Sequence, residues 1–514
     1  MLILIPSLIL FLTAFALFVL QAASANTRAA WLAAVGGAAL AFFSALAWLP
    51  QTPFELVLPV WKSQAVFSTP ISFRADDISF PFALSLAGLT LAVLLTAVAR
   101  AAQTNWLTWA GSLALGGLGI LAVSANNPLT LLLIWSALDT TEALAQMRSA
   151  RGAADSERIV IGFFTKMLGS GLLLWANTVS WSRIQTFNFD AMSPSASVYL
   201  ILAAGLRLGV LPLHLPYTNA RRGIGTSFRL VSAASSVILL ARVSAQSLIS
   251  PAATLALQGL AIVAALYSAW MWLRAPNELD GRPHWVIGIA ALATLSTLSG
   301  NPLGAAAWGI ALILAGGSLF LSSLRQTRVN RALLLGAWSV SSLPFSLTGA
   351  AWLSPLNFFA PLAAMAQAAL AAGFIRHALR ATQKDALDEQ PAWMQTVYLS
   401  GVTLLLAMQA YFSLSGWGGA RQIGAWAQAL MVVFFAAALV WAASRWRIFN
   451  PARAHWVGAA SSSVNRIYQA LWGLYRLLER FSQIIADLLE RESGMMWTLL
   501  FLILLLAYFT QRGG

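Results

Sequence analysis

The chain is a succession of apolar runs, each about twenty residues long, from one end to the other. A helix needs roughly 20 predominantly apolar residues to cross a bilayer. By that measure about sixteen spans are expected. They lie near residues 2–20, 29–49, 80–99, 106–124, 128–146, 159–181, 196–214, 224–242, 252–273, 285–300, 303–323, 331–351, 356–376, 394–414, 424–443 and 495–510. Of 514 residues, 59% are hydrophobic and only 9% charged, against about 25% charged in a soluble domain. The fold class is therefore an all-α polytopic membrane protein. The first run, Met1 to Leu20, has no basic leader and no cleavage site, so a retained span is expected rather than a signal peptide.

Composition also excludes chemistry. There is no cysteine, hence no disulfide, no Cys-ligated cluster and no thiol reaction. The histidines are His214, His284, His377 and His455, and no two have metal-ligand spacing. Neither metal nor catalytic residue is expected. The net charge of +14 would suit nucleic acid if it were clustered. The arginines are instead scattered between apolar runs, as in the cytoplasmic loops of a membrane protein. Nucleic acid is not an expected partner; the lipid bilayer is.

Basic residues also set orientation, because cytoplasmic loops are enriched in them. Odd-numbered loops hold Arg28, Arg100, Arg148, Arg151, Arg158, Arg221, Arg222, Arg274, Arg282, Arg325, Arg328, Arg331, Arg376, Arg380 and Lys384. Even-numbered loops hold Lys62, Arg74, Arg183, Arg421 and, at a span edge, Arg242. The odd loops are expected in the cytoplasm of a bacterial cell, with the N-terminus on the outer side of its inner (plasma) membrane. The long outer loop, 50–79, mixes Val, Phe, Ile and Thr with Pro53, Pro59 and Pro70, which suits short strands or an irregular cap. Near the other end, Ile467, Leu471, Leu474, Leu477, Leu478 and Phe481 share a broad helix face, with Arg466, Arg476, Glu479, Arg480 and Asp487 largely elsewhere. Such a helix suits the membrane surface, as a simple anchor or as a brace along neighbouring subunits.

The stretch from Ala196 to Arg242 differs from the other runs. Arg207 sits in the middle of an apolar span, followed by Pro212, His214 and Pro216. A charge at membrane depth is kept where it faces protein or water. Broken helices are tolerated where freed backbone lines a cavity. An ionisable residue beside a helix break is thus a candidate ion-handling site. The neighbouring spans supply Asp139, Glu142, Lys166 and Arg229. Asp139 and Glu142 are three residues apart and share a helix face. Opposite charges brought together would offset one another's desolvation. In one reading Asp139 forms a fixed pair with Arg207 or Lys166 that locks helix packing. In the other the pair opens, and a proton or cation moves through water around it. Arginine is a poor proton carrier because its pKa lies above about 12, which favours the fixed pair for Arg207. A second break is expected around Pro344, but spans 285–376 contain no Asp, Glu or Lys.

Several stretches resemble the antiporter-like membrane subunits of respiratory complex I, the Mrp antiporters and the membrane-bound hydrogenases. The large distal complex I subunit is the most similar of these. Phe73-Arg-Ala-Asp76-Asp77-Ile-Ser79 is similar to the acidic-serine entry to the third span. Asn127-Pro-Leu-Thr-Leu-Leu-Leu-Ile-Trp135 is similar to the run into a Trp-Glu pair in the fifth. Phe164-Thr165-Lys166-Met-Leu-Gly169 is similar to a basic-then-glycine pattern in the sixth. Arg207-Leu-Gly-Val-Leu-Pro212-Leu-His214 resembles Lys-Ser-Ala-x-x-Pro-x-His in the seventh. The resemblance implies two inverted five-helix repeats with broken helices. It also implies proton or Na⁺ movement along buried charges and waters, a larger assembly of membrane subunits as partner, and no cofactor.

On this basis the expected organisation is N-terminal spans and outer loop over 1–105, and a first antiporter-like repeat over 106–245. A second repeat covers 252–380, additional spans 394–445, the surface helix 460–492 and a final span 495–514. Asp139, Glu142, Lys166, Arg207, His214 and Arg229 are the expected ion-pathway residues, and Pro212, Pro216 and Pro344 mark the breaks. The sequence departs from the family at several of these places. Ser136 stands where a glutamate follows the tryptophan, with Asp139 one turn on. Arg207 replaces a lysine, Phe228 or Arg229 lies where a histidine is expected, and the basic residue of the central axis and the ionisable group of the second broken helix have no counterpart near Ser318 or Leu343. Three functions are carried forward. The first is a non-catalytic membrane subunit of a proton-translocating, NADH:quinone-type assembly. The second is a degenerate subunit with a structural or docking role. The third is the energy-coupling partner of an inorganic-carbon uptake system.

Overall fold

The computed structural model describes residues 2–23, 27–58, 70–103, 105–150, 152–181, 188–215, 222–243, 249–324, 327–352, 358–380, 389–417 and 426–446, with 387, 469, 473 and 476 singly. Among the described residues the helices run α1 (Ile5–Ala22), α2 (Thr27–Leu46), α3 (Ser79–Thr96), α4 (Trp106–Ser124), α5 (Pro128–Met147), α6 (Ala153–Trp181), α7 (Ser197–Leu208) and α8 (Gly223–Arg242). They continue as α9 (Pro251–Arg274), α10 (Glu278–Leu298), α11 (Pro302–Leu321), α12 (Thr327–Ser339), α13 (Ala360–Ala378), α14 (Ala392–Ser415) and α15 (Trp426–Trp446). Each falls on one of the first fifteen expected spans. Among the described residues, 9 helices are long and apolar enough to cross a membrane, and the protein is a multi-pass membrane protein. The expected surface helix at 460–492, apart from those single positions, and the final span at 495–514 lie outside the described residues.

Local chemistry sets where many helices begin. Asn105, Asn127, Ser250, Asn277 and Asn301 are N-caps whose side chains accept backbone N–H groups of the first turn. Proline follows three of them (Pro128, Pro251 and Pro302), where its missing N–H costs nothing. Helix ends use cations. The Arg222 guanidinium donates to the carbonyls of Phe320 (2.9 Å) and Ser322 (3.1 Å) at the end of α11 and pairs with Glu278 at 2.7 Å. Arg100 reaches the Leu321 carbonyl, and the Tyr398 hydroxyl accepts from the N–H groups of Ser323 and Leu324. At the end of α9, Arg376 donates to the carbonyls of Leu273 and Ala275. These arginines satisfy orphan carbonyls and complement the negative end of the helix dipole.

Among the helices long and apolar enough to cross a membrane, α3, α8 and α11 are the most enclosed, 89%, 89% and 94% buried, and they pack on one another. Around them two runs of five helices share one neighbour pattern. In the first, α4 packs on α5, α5 on α6, α6 on α7, α7 on α8, and α8 returns to α4. In the second, α9 packs on α10, α10 on α11, α11 on α12, α12 on α13, and α13 returns to α9. The fourth member is short in both: α7 has 12 residues and α12 has 13, too few for a full crossing.

Both breaks lie ahead of the prolines expected to cause them. Helix α7 ends at a left-handed Gly209 (φ 78°), before Pro212. A Cβ at Gly209 would lie 2.6 Å from the His214 carbonyl oxygen, so only glycine fits this turn. The turn closes through Val210 N–H and Leu211 N–H onto the Gly205 carbonyl, and His214 N–H onto the Gly209 carbonyl. Pro212 then sits exposed in the turn; Pro216 lies outside the described residues. Helix α12 stops at Ser339, ahead of Pro344, and the expected span 331–351 becomes a half-helix followed by turns. Ser342 and Phe345 there have positive φ. In the outer loop, strand β1 (Phe54–Val57) pairs antiparallel with β2 (Ser72–Ala75), in line with the short strands expected.

Candidate functional site

The charges predicted to meet do meet. Helix α5 presents Asp139 and Glu142 on its buried face, 1% and 4% exposed. Helices α6 and α7 bring Lys166 and Arg207 to them. The Arg207 guanidinium grips Asp139 with two hydrogen bonds, 2.6 Å and 2.8 Å. Such bidentate pairing is the strong form of an arginine–carboxylate contact. Arg207 also donates to the Lys166 carbonyl at 3.1 Å, to Ser170 Oγ at 3.3 Å and, through Nε, to Ser236 Oγ at 3.4 Å. Its guanidinium lies 4.0 Å from the centre of the Trp135 ring, a cation–π contact. The indole is itself held by a hydrogen bond from Nε1 to the Ser235 carbonyl. Contacts to Asp139, Lys166, Ser170, Ser236 and Trp135 therefore hold Arg207 in place.

Gly169 makes this approach possible. A Cβ there would lie 2.6 Å from Arg207 Cγ and 3.0 Å from the Ala203 carbonyl oxygen. The glycine lets the α6 backbone come down onto the arginine stem.

Lys166 is held differently. Its ammonium donates to Glu142 Oε2 at 2.6 Å and lies 3.7 Å from Asp139 Oδ1. Glu142 also accepts from Gln146 Nε2 at 2.8 Å, one turn along α5. A cavity of about 20 Å³ adjoins this pair and is lined by Asp139, Glu142, Gln146, Lys166 and Arg229 among others. That is room for one or two waters. A second cavity of about 20 Å³ is lined by Lys166, Arg207, Arg229 and Ser232, and reaches Val286 and Ile287 of α10. Arg229 is 8% exposed and lines both. Of the remaining candidates, His214 is buried with Nδ1 2.9 Å from the Pro212 carbonyl. It lines neither cavity. Pro212 and Pro344 lie in the turns after the half-helices.

Around the second break the buried polar groups are neutral. Gln409 on α14 accepts from Ser339 Oγ at 2.9 Å and donates to the Leu314 carbonyl at 3.1 Å. Gln367 on α13 accepts from Trp352 Nε1 at 2.8 Å and donates to the Val340 carbonyl and Ser342 Oγ at 2.7 and 2.8 Å. Thr348 Oγ1 ties Ser342 N–H to the Ser339 carbonyl. Both glutamines are fully buried. Gln367 thereby satisfies the Val340 carbonyl freed where α12 stops, as broken helices in membranes require.

A third polar group joins α3 to α8. Asp76 accepts N–H bonds from Ile78 and Ser79, and Arg242 pairs with it through both nitrogens, the longer contact at 3.1 Å. Burial alone would raise the Asp76 pKa; the Arg242 guanidinium and the Ser79 hydrogen bonds outweigh it and hold the carboxyl below its ordinary value. Arg74 reaches across to Asp190.

No protein-family model matches the chain, and no curated protein matches it. Solved structures do. A chain of the Mrp complex from Dietzia sp. DQ12-45-1b superposes with TM-score 0.71 at 15% identity, over 100% of this chain and 63% of that one. The present chain thus spans less than two thirds of that subunit's length. A chain of respiratory complex I from Thermus thermophilus gives TM-score 0.58 at 16% identity, over 79% of this chain and 97% of that one. A chain of the membrane-bound sulfane sulfur reductase, an archaeal respiratory membrane complex, gives TM-score 0.63 at 12% identity, over 98% and 99%. At such identities the likeness is one of fold, and the fold is that of antiporter-like membrane subunits.

Proposed function

We propose that this protein is a non-catalytic membrane subunit of a multi-subunit, complex I-like assembly, in which the Lys166–Glu142 pair takes part in moving protons coupled to a partner's reaction. The observation that carries this reading is the 2.6 Å Lys166–Glu142 contact beside a water-sized cavity. Lysine and glutamate are titratable, and water offers the proton a route past them. Arg207 and Asp139 serve as the clamp that fixes α5, α6 and α7 around the pair, since arginine does not release its proton. Helices α4–α8 and α9–α13, with their shared neighbour pattern, are read as two inverted repeats. The expected setting is the bacterial plasma membrane with the N-terminus outside.

The second reading is a subunit with a structural or docking role and no transport. The neutral Gln367 and Gln409 networks favour it, because the amides around the second break do not titrate and residues 285–376 contain no Asp, Glu or Lys. Two experiments separate these readings. Gentle purification of the tagged chain identifies the subunits that accompany it. Glu142→Gln, in that assembly reconstituted into vesicles, should abolish proton flux and leave subunit composition unchanged. Unchanged flux, or loss of assembly, would favour the structural role.

A further inference from the structure

The charges around α5–α8 do not balance. Asp139 is taken up by Arg207, and Glu142 by Lys166. Arg229 remains. It is drawn toward Glu142, with which it lines the first cavity, but makes no ion pair with it among the described residues, and its Nη2 is buried without a hydrogen-bond partner. Two carboxylates therefore face three cations. An uncompensated charge at membrane depth costs several kcal/mol.

The two cavities beside Arg229 differ in chemistry. The first includes both carboxylates in its wall, which suits water. The second is lined by Lys166, Arg207 and Arg229, the hydroxyl-bearing Ser232 and apolar residues, with no acid in its wall. At about 20 Å³ it has room for a single small particle.

We propose that this second cavity is a binding site for one small monovalent anion of halide size, held by the Arg229 guanidinium with Lys166 and Ser232. The anion supplies the negative charge that the side chains lack. A multi-atom oxyanion such as sulfate is too large for the space, and gluconate is larger still. Occupancy ties α6 to α8, with Pro283, Val286 and Ile287 of α10 closing the cavity as an apolar wall. The site does not depend on proton movement through the cluster, and its test reads binding without flux.

The probe is chloride. The purified full-length protein, in detergent, is equilibrated with ³⁶Cl⁻ at constant ionic strength with gluconate as the replacing anion. Saturable binding of one chloride per chain is expected, with a chloride-dependent rise in Tm of a few degrees that gluconate does not give. Arg229→Gln should weaken binding by about tenfold or more, the loss of one charged contact, and Arg229→Lys should retain it. Should Arg229→Gln not fold, Ser232→Asp provides the second arm. It builds a carboxylate into the cavity, and should abolish chloride binding while making Tm the same in chloride and gluconate. Absence of saturable binding to the unmodified chain, or full binding in either Arg229→Gln or Ser232→Asp, would overturn the proposal.

Discussion

Asp139 offers the sharpest test of how the cluster is held together. Its side chain is 0% exposed and that of Arg207 1%, and the two share both guanidinium nitrogens at 2.6 and 2.8 Å. Asp139→Asn keeps the shape and removes the charge, so Arg207 is left without its counter-ion. Breaking a buried pair from one side costs about 3–5 kcal/mol, or roughly two to nearly four powers of ten in the folded-to-unfolded ratio. Removing both partners costs much less, because no charge is then stranded. Arg207→Met in the Asp139→Asn background should recover most of the loss, giving a coupling free energy of about 3 kcal/mol in a double-mutant cycle. The assay is reversible unfolding in mixed micelles with increasing denaturing detergent, read for all four proteins. An Asp139→Asn change below about 1 kcal/mol, or a double mutant no more stable than the worse single mutant, would show that the pair does not hold these helices.

Three further outcomes follow from the same contacts. Gly169→Ala places a methyl 2.6 Å from Arg207 Cγ and should destabilise by about 1–3 kcal/mol through overpacking; the same unfolding assay measures it. Gln367→Leu conserves bulk but strands Trp352 Nε1 and the Val340 carbonyl, at a cost of about 1–3 kcal/mol, with no effect on ion movement. Asp76 has a depressed folded pKa, so its contribution to stability is complete above the unfolded value of about 3.9. It is lost as pH falls through the lower folded value; Asp76→Asn should remove that acid-side step from a Tm-against-pH curve.

Much of this was legible in the residues, for identifiable reasons. Twenty-residue apolar runs located the helices, because span length is a local property. The meeting of Asp139, Lys166 and Arg207 was legible because charges at membrane depth must find one another. The breaks were displaced by a few residues: the prolines drew attention, while Gly209 supplied the left-handed turn. The second-half network was missed because only charges were sought there; glutamines inside apolar runs, Gln367 and Gln409, were the available signal. The Asp76–Arg242 pair joins residues 166 positions apart, beyond the reach of any local pattern. Arg100, Arg222 and Arg376 read as loop charges, and the structure uses them to close helix ends.

The central claim is that titratable groups in the first helix run, and not the amide network around the second break, carry the proton. The most direct measurement is proton flux through vesicles of the intact assembly with Lys166→Gln or with Gln409→Leu. Flux abolished in Lys166→Gln and kept in Gln409→Leu is the predicted result. Flux kept in Lys166→Gln, with the assembly intact, would contradict it.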